Sequence, residues 1–360
     1  MTERMFITGN EAVARGAIAA GCRYFFGYPI TPQNDIPEFM SRELPKIGGV
    51  FVQSESEVSS IYMVYAGGLA GARVMTSTSS PGYALMQEGI SYMAEMEAPC
   101  VVVNVSRMGP GIGTGGQAGQ TDYRCVVKGG GHGGYRAIVL APASPQEVYE
   151  LMQLAFHLAD KYRILCIVLS DYVLGQMAED VELKPLEFKE ELPEKFWALK
   201  GTDKKDGMRY MHVVGFFSHG GVISMHQAFL KKYARIEESE KRHEAVGVDD
   251  AQLLLVSYGS TARTCAKAME MARADGLKVG LFRPITLWPY PEEALRDAAL
   301  KAGKVLCVED SNGQMQEDVD LAVLGKVPVH YLGLWARNSD QPQGLIFPER
   351  VYEEIKKLLS

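Results

Sequence analysis

The chain has 360 residues, 47% of them hydrophobic and 22% charged, a composition typical of a globular protein with two or three domains. Its 44 acidic and 37 basic residues give a formal net charge of −7, which excludes a general attraction to nucleic acid or to an anionic membrane. No apolar run approaches the roughly 20 residues that cross a bilayer, and the N-terminal MTERMFITGN does not resemble a signal peptide, so we expect a cytoplasmic protein.

The first half of the chain alternates helix-like and strand-like segments. Asn10 is a candidate N-cap and Gly21 a candidate stop signal for the first helix. The predicted elements are helix Glu11–Ala20, strand Arg23–Gly27, strand Val50–Gln53, helix Glu57–Ala70, strand Val74–Thr78, helix Gly82–Met96, strand Cys100–Val105, helix Gln146–Leu158 and strand Ile164–Leu169. This alternation predicts an α/β fold with a mostly parallel sheet covered on both faces.

The alternation stops between residues 181 and 248. Prolines and the charge run Lys231 to Glu244 predict a solvated connector there, with at most one strand, at Val213 to Phe217. The pattern then resumes with strand Leu253–Ser257, helix Thr261–Ala274, strand Lys278–Phe282, helix Pro291–Lys301, strand Lys304–Glu309 and helix Pro348–Leu359. We therefore predict a large α/β domain over residues 1–180, a charged connector over 181–248 and a smaller α/β domain over 249–360.

The six cysteines are far apart in the sequence, and no two of them form a C-x-x-C pair. Several lie within apolar runs that are predicted strands, which is typical of small buried hydrophobic residues. Disulfides are disfavoured in the expected compartment. Because an iron–sulfur cluster needs about four converging thiolates, we expect that this chain does not hold one alone.

Several common motifs are absent from the sequence, including the G-x-x-x-x-G-K-[ST] phosphate loop, the H-E-x-x-H zinc motif and the G-x-S-x-G nucleophile turn. A G-x-G-x-x-G match occurs at residues 111–116, but a dinucleotide-binding fingerprint needs a helix to begin at its glycines. The following residues, 117–122, are polar and show no helical period. We interpret the stretch as a glycine-rich loop, over a ligand or at the surface, with an NAD-dependent dehydrogenase as the weaker alternative.

Four polar segments follow predicted strands, where open α/β sheets bind ligands; they are residues 27–32, 53–57, 76–82 and 106–111. In the first segment, two prolines stiffen the turn around Thr31. Glu57 begins a predicted helix, where the helix dipole favours a carboxylate. Arg107 follows a buried strand and can bind a carboxylate with two hydrogen bonds. Taken singly, each residue also has a purely structural interpretation.

Taken together, the segments resemble a known family. The turn Tyr28-Pro29-Ile30-Thr31-Pro32 resembles the signature of the thiamin-diphosphate-dependent 2-oxoacid:ferredoxin oxidoreductases. The likeness continues through residues 53–57, 76–86, 107 and 120–123, and the second half resembles the family's transketolase C-terminal-like domain. Residues 129–133 and 139–142 look like the alpha subunit of the branched-chain (3-methyl-2-oxobutanoate) members. The resemblance thus implies a pyrimidine-binding-type α/β domain followed by that smaller domain.

The resemblance also implies roles for individual residues. In the family, a glutamate bonded to the aminopyrimidine ring of thiamin diphosphate promotes activation of the cofactor; counting back from Gly71-Ala72 reaches Glu57, with Glu55 as the alternative. Thr31 and Arg107 would bind the substrate carboxylate. The resemblance further implies cofactor-binding positions at Tyr28, Pro29, Ile30, Thr31, Glu57, Thr78 and Ser79, and assigns no metal ligand to this chain.

The implied reaction is the oxidative decarboxylation of a branched-chain 2-oxoacid to acyl-CoA and CO₂, with reduction of ferredoxin. The family holds the diphosphate through Mg²⁺ on a G-D-G motif, which this sequence lacks. The resemblance therefore implies a shared site, completed by a beta subunit that carries Mg²⁺. It also implies gamma and ferredoxin-like delta subunits, with [4Fe-4S] clusters on the partner subunits, and coenzyme A as the acyl acceptor.

Two alternatives remain open at this point. A 2-oxoglutarate- or pyruvate-specific member of the same family would need a polar or a small substrate pocket, respectively. A non-catalytic subunit would retain the fold without the activity.

Overall fold

The structure is a computed structural model that describes residues 3–199, 201, 215–334 and 345–360. Its strands are β1 (Arg4–Thr8), β2 (Tyr24–Gly27), β3 (Val50–Gln53), β4 (Val74–Thr78), β5 (Val101–Ser106), β6 (Ile138–Leu140), β7 (Cys166–Asp171), β8 (Ala178–Glu182), β9 (His243–Val246), β10 (Leu253–Val256), β11 (Val279–Pro284), β12 (Thr286–Trp288), β13 (Val305–Val308) and β14 (Val329–Leu332).

Helices cover the faces of the sheets that these strands form. They are α1 (Gly9–Ala19), α2 (Asp35–Glu43), α3 (Glu57–Leu69), α4 (Ser80–Leu85), α5 (Gln87–Glu95), α6 (Tyr123–Val127), α7 (Pro145–Tyr162), α8 (Tyr172–Gln176), α9 (Gly215–Ser218), α10 (Val222–Ser239), α11 (Gly259–Ala274), α12 (Glu292–Ala302), α13 (Gln316–Val323) and α14 (Pro348–Leu359). Within the described ranges, none of them is both long enough and apolar enough to cross a membrane.

The larger sheet has seven strands in the order β12-β6-β7-β5-β4-β2-β3. All neighbours in it are parallel except β12, which runs antiparallel to β6. Every residue of β4, β5 and β7 is buried, as expected for central strands covered on both faces. The carboxyl ends of β2, β3, β4 and β5 therefore meet at one edge of the sheet, and the four polar segments follow them there.

The second sheet has five strands in the order β14-β13-β10-β11-β9, of which only β9 is antiparallel to its neighbour. The buried side chain of Gln120 joins the two halves of the molecule. Its amide donates to the carbonyl of Tyr258 at 3.1 Å and its oxygen accepts from Thr261 at 2.9 Å, while its backbone N–H donates to the carbonyl of Asp310 at 2.7 Å. The predicted fold class, α/β with mostly parallel sheets, is confirmed.

Several predicted elements are confirmed to within a few residues, among them β3, β4, α3, α11 and α14. The predicted N-cap of the first helix is wrong. Thr8 caps α1, with its hydroxyl accepting from the backbone N–H of Glu11 at 3.1 Å. Asn10 lies inside the helix, where its buried amide donates to the carbonyl of Pro32 at 2.8 Å.

The single helix predicted over Gly82–Met96 is also wrong, because the chain forms α4 and α5 with a break at Met86. The Met86 N–H divides its hydrogen bond between the carbonyls of Gly82 and Tyr83, each at 3.1 Å, and such a shared bond is common where a helix ends.

The middle of the chain contains more regular structure than predicted. The charge run Lys231 to Glu244 lies in α10 and β9 rather than in an irregular connector, and β9 extends the second sheet. Of the predicted strand Val213 to Phe217, residues 213–214 lie outside the described residues and 215–217 belong to helix α9. The predicted division at residues 180 and 248 stays a prediction, and β12, which follows the second boundary, pairs with the first sheet.

Candidate active site

The turn at residues 28–32 follows β2 and is held by three side-chain amides. Gln33 donates to the carbonyl of the turn's first residue at 3.2 Å and accepts from the hydroxyl of Ser77 at 2.5 Å. Asn10 and Gln176 both donate to the carbonyl of the turn's last residue, at 2.8 and 2.9 Å. Hydrogen bonds from β4, α1 and α8 thus hold the turn, while Thr31 and Pro29 lie exposed on it and Tyr28 and Ile30 are half-buried.

Glu57 is a buried carboxylate at the start of α3. Ser56 caps this helix by accepting from the N–H of Ser59 at 3.3 Å, so Glu57 is its first residue. The Glu57 side chain is only 5% exposed, yet no group among the described residues donates a hydrogen bond to its carboxylate. By contrast, Glu55 is exposed and its carboxylate accepts from the hydroxyl of Ser59 at 2.9 Å.

Gly82 lets α4 approach Glu57 closely. A Cβ atom at this position would lie 2.5 Å from Glu57 Oε1 and would also overlap the hydroxyl of Thr78. The neighbouring Ser79 hydroxyl is buried without a hydrogen-bond partner among the described residues. The ends of β3 and β4 therefore place the Glu57 carboxylate and the Thr78 hydroxyl on either side of Gly82, with the buried Ser79 hydroxyl next along the chain.

Arg107 connects the turn to the glycine-rich loop. Its guanidinium donates to the carbonyl of Thr31 at 2.7 Å and to the carbonyl of Ile112 at 2.9 Å, and its Nε is buried without a partner among the described residues. The side chain is almost fully buried, and burial lowers the pKa of Arg107. No α-helix begins at Gly111 or Gly113, where residues 112–114 form a 3-10 turn, so the loop lacks the geometry of a dinucleotide fingerprint.

Beside Arg107, a cleft of about 860 Å³ opens between the two halves of the molecule. Ala84, Met108 and Leu334 contribute apolar surface to it. Asp122 is the one charged side chain among its described lining residues, and Cys125 is also part of the wall. Burial raises the pKa of Asp122, and it raises the pKa of the Cys125 thiol to about 12, so this thiol stays protonated at neutral pH.

Comparison with known proteins identifies the family to which this arrangement belongs. The family model described as "Pyruvate flavodoxin/ferredoxin oxidoreductase, thiamine diP-bdg" matches residues 15–246, and the model described as "Pyruvate:ferredoxin oxidoreductase core domain II" matches residues 251–341. The chain belongs to the 2-oxoacid:ferredoxin oxidoreductase family. This result confirms the resemblance seen in the sequence.

Curated members of the family match the chain along most of its length as alpha-type subunits. It is 48% identical to ketoisovalerate oxidoreductase subunit VorB of Methanothermobacter thermautotrophicus, over 88% of this chain and 89% of that subunit. It is 37% identical to 2-oxoglutarate synthase subunit KorA of the same organism, over 96% of this chain and 98% of that subunit. The enzyme class predicted from the sequence, an oxidoreductase of this type, is therefore confirmed.

Two solved structures share the fold of this chain. The chain matches the 2-oxoglutarate:ferredoxin oxidoreductase from Magnetococcus marinus with a TM-score of 0.84 and 27% identity, over the whole chain and 66% of that longer chain. A split-gene transketolase matches with a TM-score of 0.62 at 13% identity, over 98% of both chains. The second match concerns the fold alone and bears out the predicted likeness to transketolase.

The structure brings together most of the residues that the family signature implicates. Glu57 and Thr78 meet at Gly82, and Ser79 follows Thr78 in the chain. Thr31, after β2, and Arg107, after β5, meet through a hydrogen bond on the same edge of the sheet. Sequence reasoning missed the contribution of Gly82 and of the amides of Asn10, Gln33 and Gln176. Of these, only Gly82 could have been found in the sequence, because a glycine four residues after a strand end indicates a close approach of the backbone.

The residues present fit a thiamin-type cofactor on one observation: Glu57 is a buried acid without a protein partner, which a ring nitrogen would satisfy. Among the described residues, no group of three or more His, Cys, Asp or Glu side chains is arranged to hold a metal ion. All six cysteines are free, and five of them are buried.

Proposed function

We propose that the chain is the catalytic alpha subunit of an oxidoreductase complex that converts a branched-chain 2-oxoacid, such as 3-methyl-2-oxobutanoate, to acyl-CoA and CO₂ while reducing ferredoxin. The observation that carries the proposal is the buried, unpartnered carboxylate of Glu57 at the edge of the sheet where the family signature lies. Because no described group of the protein donates to this carboxylate, it is available to accept a hydrogen bond from a ligand.

Thiamin diphosphate, when bound, supplies the electron sink that decarboxylation of a 2-oxoacid requires. We assign Glu57 to the aminopyrimidine ring, where its carboxylate shares a proton with the ring nitrogen N1′. We assign residues 28–31, Thr78 and Ser79 to the walls around this ring. Ser79 supports the assignment because its hydroxyl is buried and has no hydrogen-bond partner among the described residues.

Thr31 and Arg107 are assigned to the carboxylate of the substrate. The exposed Thr31 hydroxyl can donate one hydrogen bond, and the buried Nε of Arg107 has a free N–H group. The carbonyls of Thr31 and Ile112 use two of the five N–H groups of the guanidinium, so a second hydrogen bond to the carboxylate is available from a terminal nitrogen. The arginine would then bind the carboxylate in a bidentate manner.

The cleft supports an apolar substrate side chain. Its described lining residues include Ala84, Met108 and Leu334, and contain no Lys, Arg or His that would pair with the second carboxylate of 2-oxoglutarate. The higher identity to the ketoisovalerate subunit than to the 2-oxoglutarate subunit favours the same substrate class. The Magnetococcus structure, which has 2-oxoglutarate bound, keeps that substrate as the second candidate.

A second subunit would complete the site. The sequence lacks the G-D-G motif, so we assign Mg²⁺ and the diphosphate to a beta subunit, and iron–sulfur clusters, with gamma and delta subunits, to the rest of the complex. Exposed apolar side chains lie beside Glu57 on α3 and α4, at Val58, Tyr62, Met63 and Leu85. Such a patch is typical of a surface that another protein covers.

The test uses the chain co-purified with its partner subunits, thiamin diphosphate and Mg²⁺. Coenzyme A-dependent reduction of a viologen dye is measured with 3-methyl-2-oxobutanoate, 2-oxoglutarate and pyruvate. Glu57→Gln should lose at least about a hundredfold in turnover, a typical effect of removing a catalytic acid or base. Glu55→Gln is the matched control, two residues away and exposed, and should keep wild-type turnover.

Each outcome decides between the candidates. Preference for 3-methyl-2-oxobutanoate together with loss of turnover in Glu57→Gln supports the proposal. Preference for 2-oxoglutarate or pyruvate keeps the mechanism but rejects the branched-chain assignment. Full turnover in Glu57→Gln would identify a subunit that retains the fold without the catalytic role.

A further inference from the structure

Two buried arginines of this chain differ in how their charge is balanced. Arg283, on β11, donates two hydrogen bonds to the carboxylate of Glu147, at 2.9 and 2.6 Å, and one to Glu244 at 2.9 Å. Arg107 is buried to a similar degree, but both of its hydrogen bonds go to backbone carbonyl groups. No carboxylate among the described residues forms an ion pair with it.

The charge of the Asp122 carboxylate acts on Arg107, although the two side chains form no ion pair. Burial lowers the pKa of Arg107, and among the described residues Asp122 is the one acid that opposes this shift. The Asp122 carboxylate itself accepts from the hydroxyl of Ser80 at 2.5 Å and from the amide of Asn104 at 2.9 Å. Its hydrogen bonds therefore go to neutral groups, and the guanidinium stays free of a carboxylate partner.

The same hydrogen bonds connect Asp122 to the backbone of Arg107. The Ser80 hydroxyl, which donates to Asp122, accepts from the backbone N–H of Arg107 at 3.0 Å. Ser80 is also the first residue of α4, two positions before the glycine that packs on Glu57. Asp122 is thus linked by two hydrogen bonds to the strand end that carries Arg107 and to the helix that contacts Glu57.

We propose that Asp122 is a positioning residue that fixes Arg107 through Ser80 and that sets, by its charge, how strongly Arg107 binds the carboxylate of the substrate. The inference rests on the proposed function, because it takes that carboxylate to be the ligand of Arg107. A nearby carboxylate that forms no ion pair with the buried guanidinium stabilises its positive charge. It also leaves the N–H groups of the guanidinium able to bind and release an anion.

The proposal predicts that a substitution in the site strengthens the binding of a carboxylate ligand. In Asp122→Asn the side-chain oxygen still accepts from Ser80, but the negative charge is gone. Arg107 should then bind a monocarboxylate about tenfold more tightly, a change of roughly 1.4 kcal/mol. A purely structural role would produce weaker binding, because disordering the site weakens every ligand.

The test measures the inhibition constant of 3-methylbutanoate, a carboxylate without the 2-oxo group, against 3-methyl-2-oxobutanoate in the purified complex. Because burial raises the pKa of Asp122, the measurement is repeated at a series of pH values up to the alkaline end of the working range, where more of this carboxyl is ionised. Ser80→Ala removes the hydrogen bond but keeps the charge, and should not tighten binding. Asp310→Asn removes a comparably buried acid whose charge acts on Arg350 rather than on Arg107, and should leave the inhibition constant unchanged.

Tighter inhibition in Asp122→Asn alone supports the proposal. Unchanged or weaker inhibition in a folded Asp122→Asn complex, or equal tightening in Asp310→Asn, overturns it. If the wild-type complex turns over no 2-oxoacid, the proposed function fails separately. Calorimetric titration of the same complexes with 3-methylbutanoate then still tests the role of Asp122, because binding needs no turnover.

Discussion

Two buried glutamates follow strands in the two halves of the molecule, and their surroundings are opposite. Glu309, after β13, accepts from the hydroxyl of Ser311 at 2.6 Å and from three consecutive backbone N–H groups, of residues 314–316, at 2.9–3.1 Å. Glu57, at the start of α3, receives no hydrogen bond from any described residue. The first carboxylate is bound within the fold, and the second is available to a ligand.

The two arginines repeat this contrast. Arg283 is paired with Glu147 and Glu244, whereas the acceptors of the Arg107 guanidinium among the described residues are the carbonyls of Thr31 and Ile112. A buried charge whose hydrogen bonds are all made is explained by the fold. The Glu57 carboxylate and the Nε of Arg107 have no hydrogen-bond partner among the described residues, so the comparison singles out these two groups, at the edge of the first sheet, as candidates for ligand binding.

The largest expected effect comes from removing the satisfied glutamate. Glu309→Ala should lower the free energy of unfolding by about 3 kcal/mol or more, since each buried donor left without an acceptor costs roughly 1–3 kcal/mol. Glu57→Ala breaks no hydrogen bond among the described residues and should change the free energy of unfolding by less than about 1 kcal/mol. Urea unfolding curves of the two variants measure this difference, and equal losses would remove the distinction between the two carboxylates.

A smaller effect is expected from filling the space beside Glu57. Gly82→Ala places a methyl group against Glu57 and Thr78, and such overpacking costs about 1–3 kcal/mol. Turnover should fall more than tenfold because the carboxylate must move. Gly113→Ala is the matched control, since a Cβ there meets no atom within 4 Å. Steady-state turnover checks both variants, and wild-type activity in Gly82→Ala would show that the position of Glu57 is not critical.

Asp310 lies between the two extremes, and its effect is spread over several pH units. It is buried, its Oδ1 has no partner among the described residues, and burial together with Asp171 raises its pKa to about 7. The unfolded chain loses this proton near pH ~3.9. Between these two pKa values the folded chain binds more protons, so this group's contribution to stability falls as the pH rises from about 4 to about 7.

The slope of that loss is at most about 1.4 kcal/mol per pH unit. Asp310→Asn should remove this pH-dependent loss of stability, so that the free energy of unfolding varies less between about pH 4 and about pH 7. Urea midpoints of the wild-type and variant proteins, measured at a series of pH values, check the expectation. Parallel curves for the two proteins would contradict it.

The fold could largely be predicted from the sequence because its central strands are continuous apolar runs and its helices have clear ends. Proline and glycine signals placed α14 and the end of α1 correctly. The break at Met86 left no such signal, and β12 joins the first sheet through pairing that depends on distant residues. The charge run of 231–244 predicted a connector instead of α10 because an exposed helix face and a solvated connector have similar compositions.

The site was predicted less completely. Residue type and strand-end position singled out Glu57, Thr31 and Arg107, and the family signature supported them. The sequence could not show that Glu55 is exposed while Glu57 is buried, or that Arg107 already donates to two backbone carbonyls. Those facts depend on helix phase and on loops that meet only in three dimensions.

The central claim is that the buried, unpartnered Glu57 is the acid that binds the aminopyrimidine ring. A cryo-EM structure of the assembled complex with thiamin diphosphate tests it most directly. The account predicts a Glu57 carboxylate oxygen within about 2.6–3.2 Å of the ring nitrogen N1′, a normal hydrogen-bond distance. A ring that is bound by Glu55, or that lies beyond the reach of Glu57, would contradict the account.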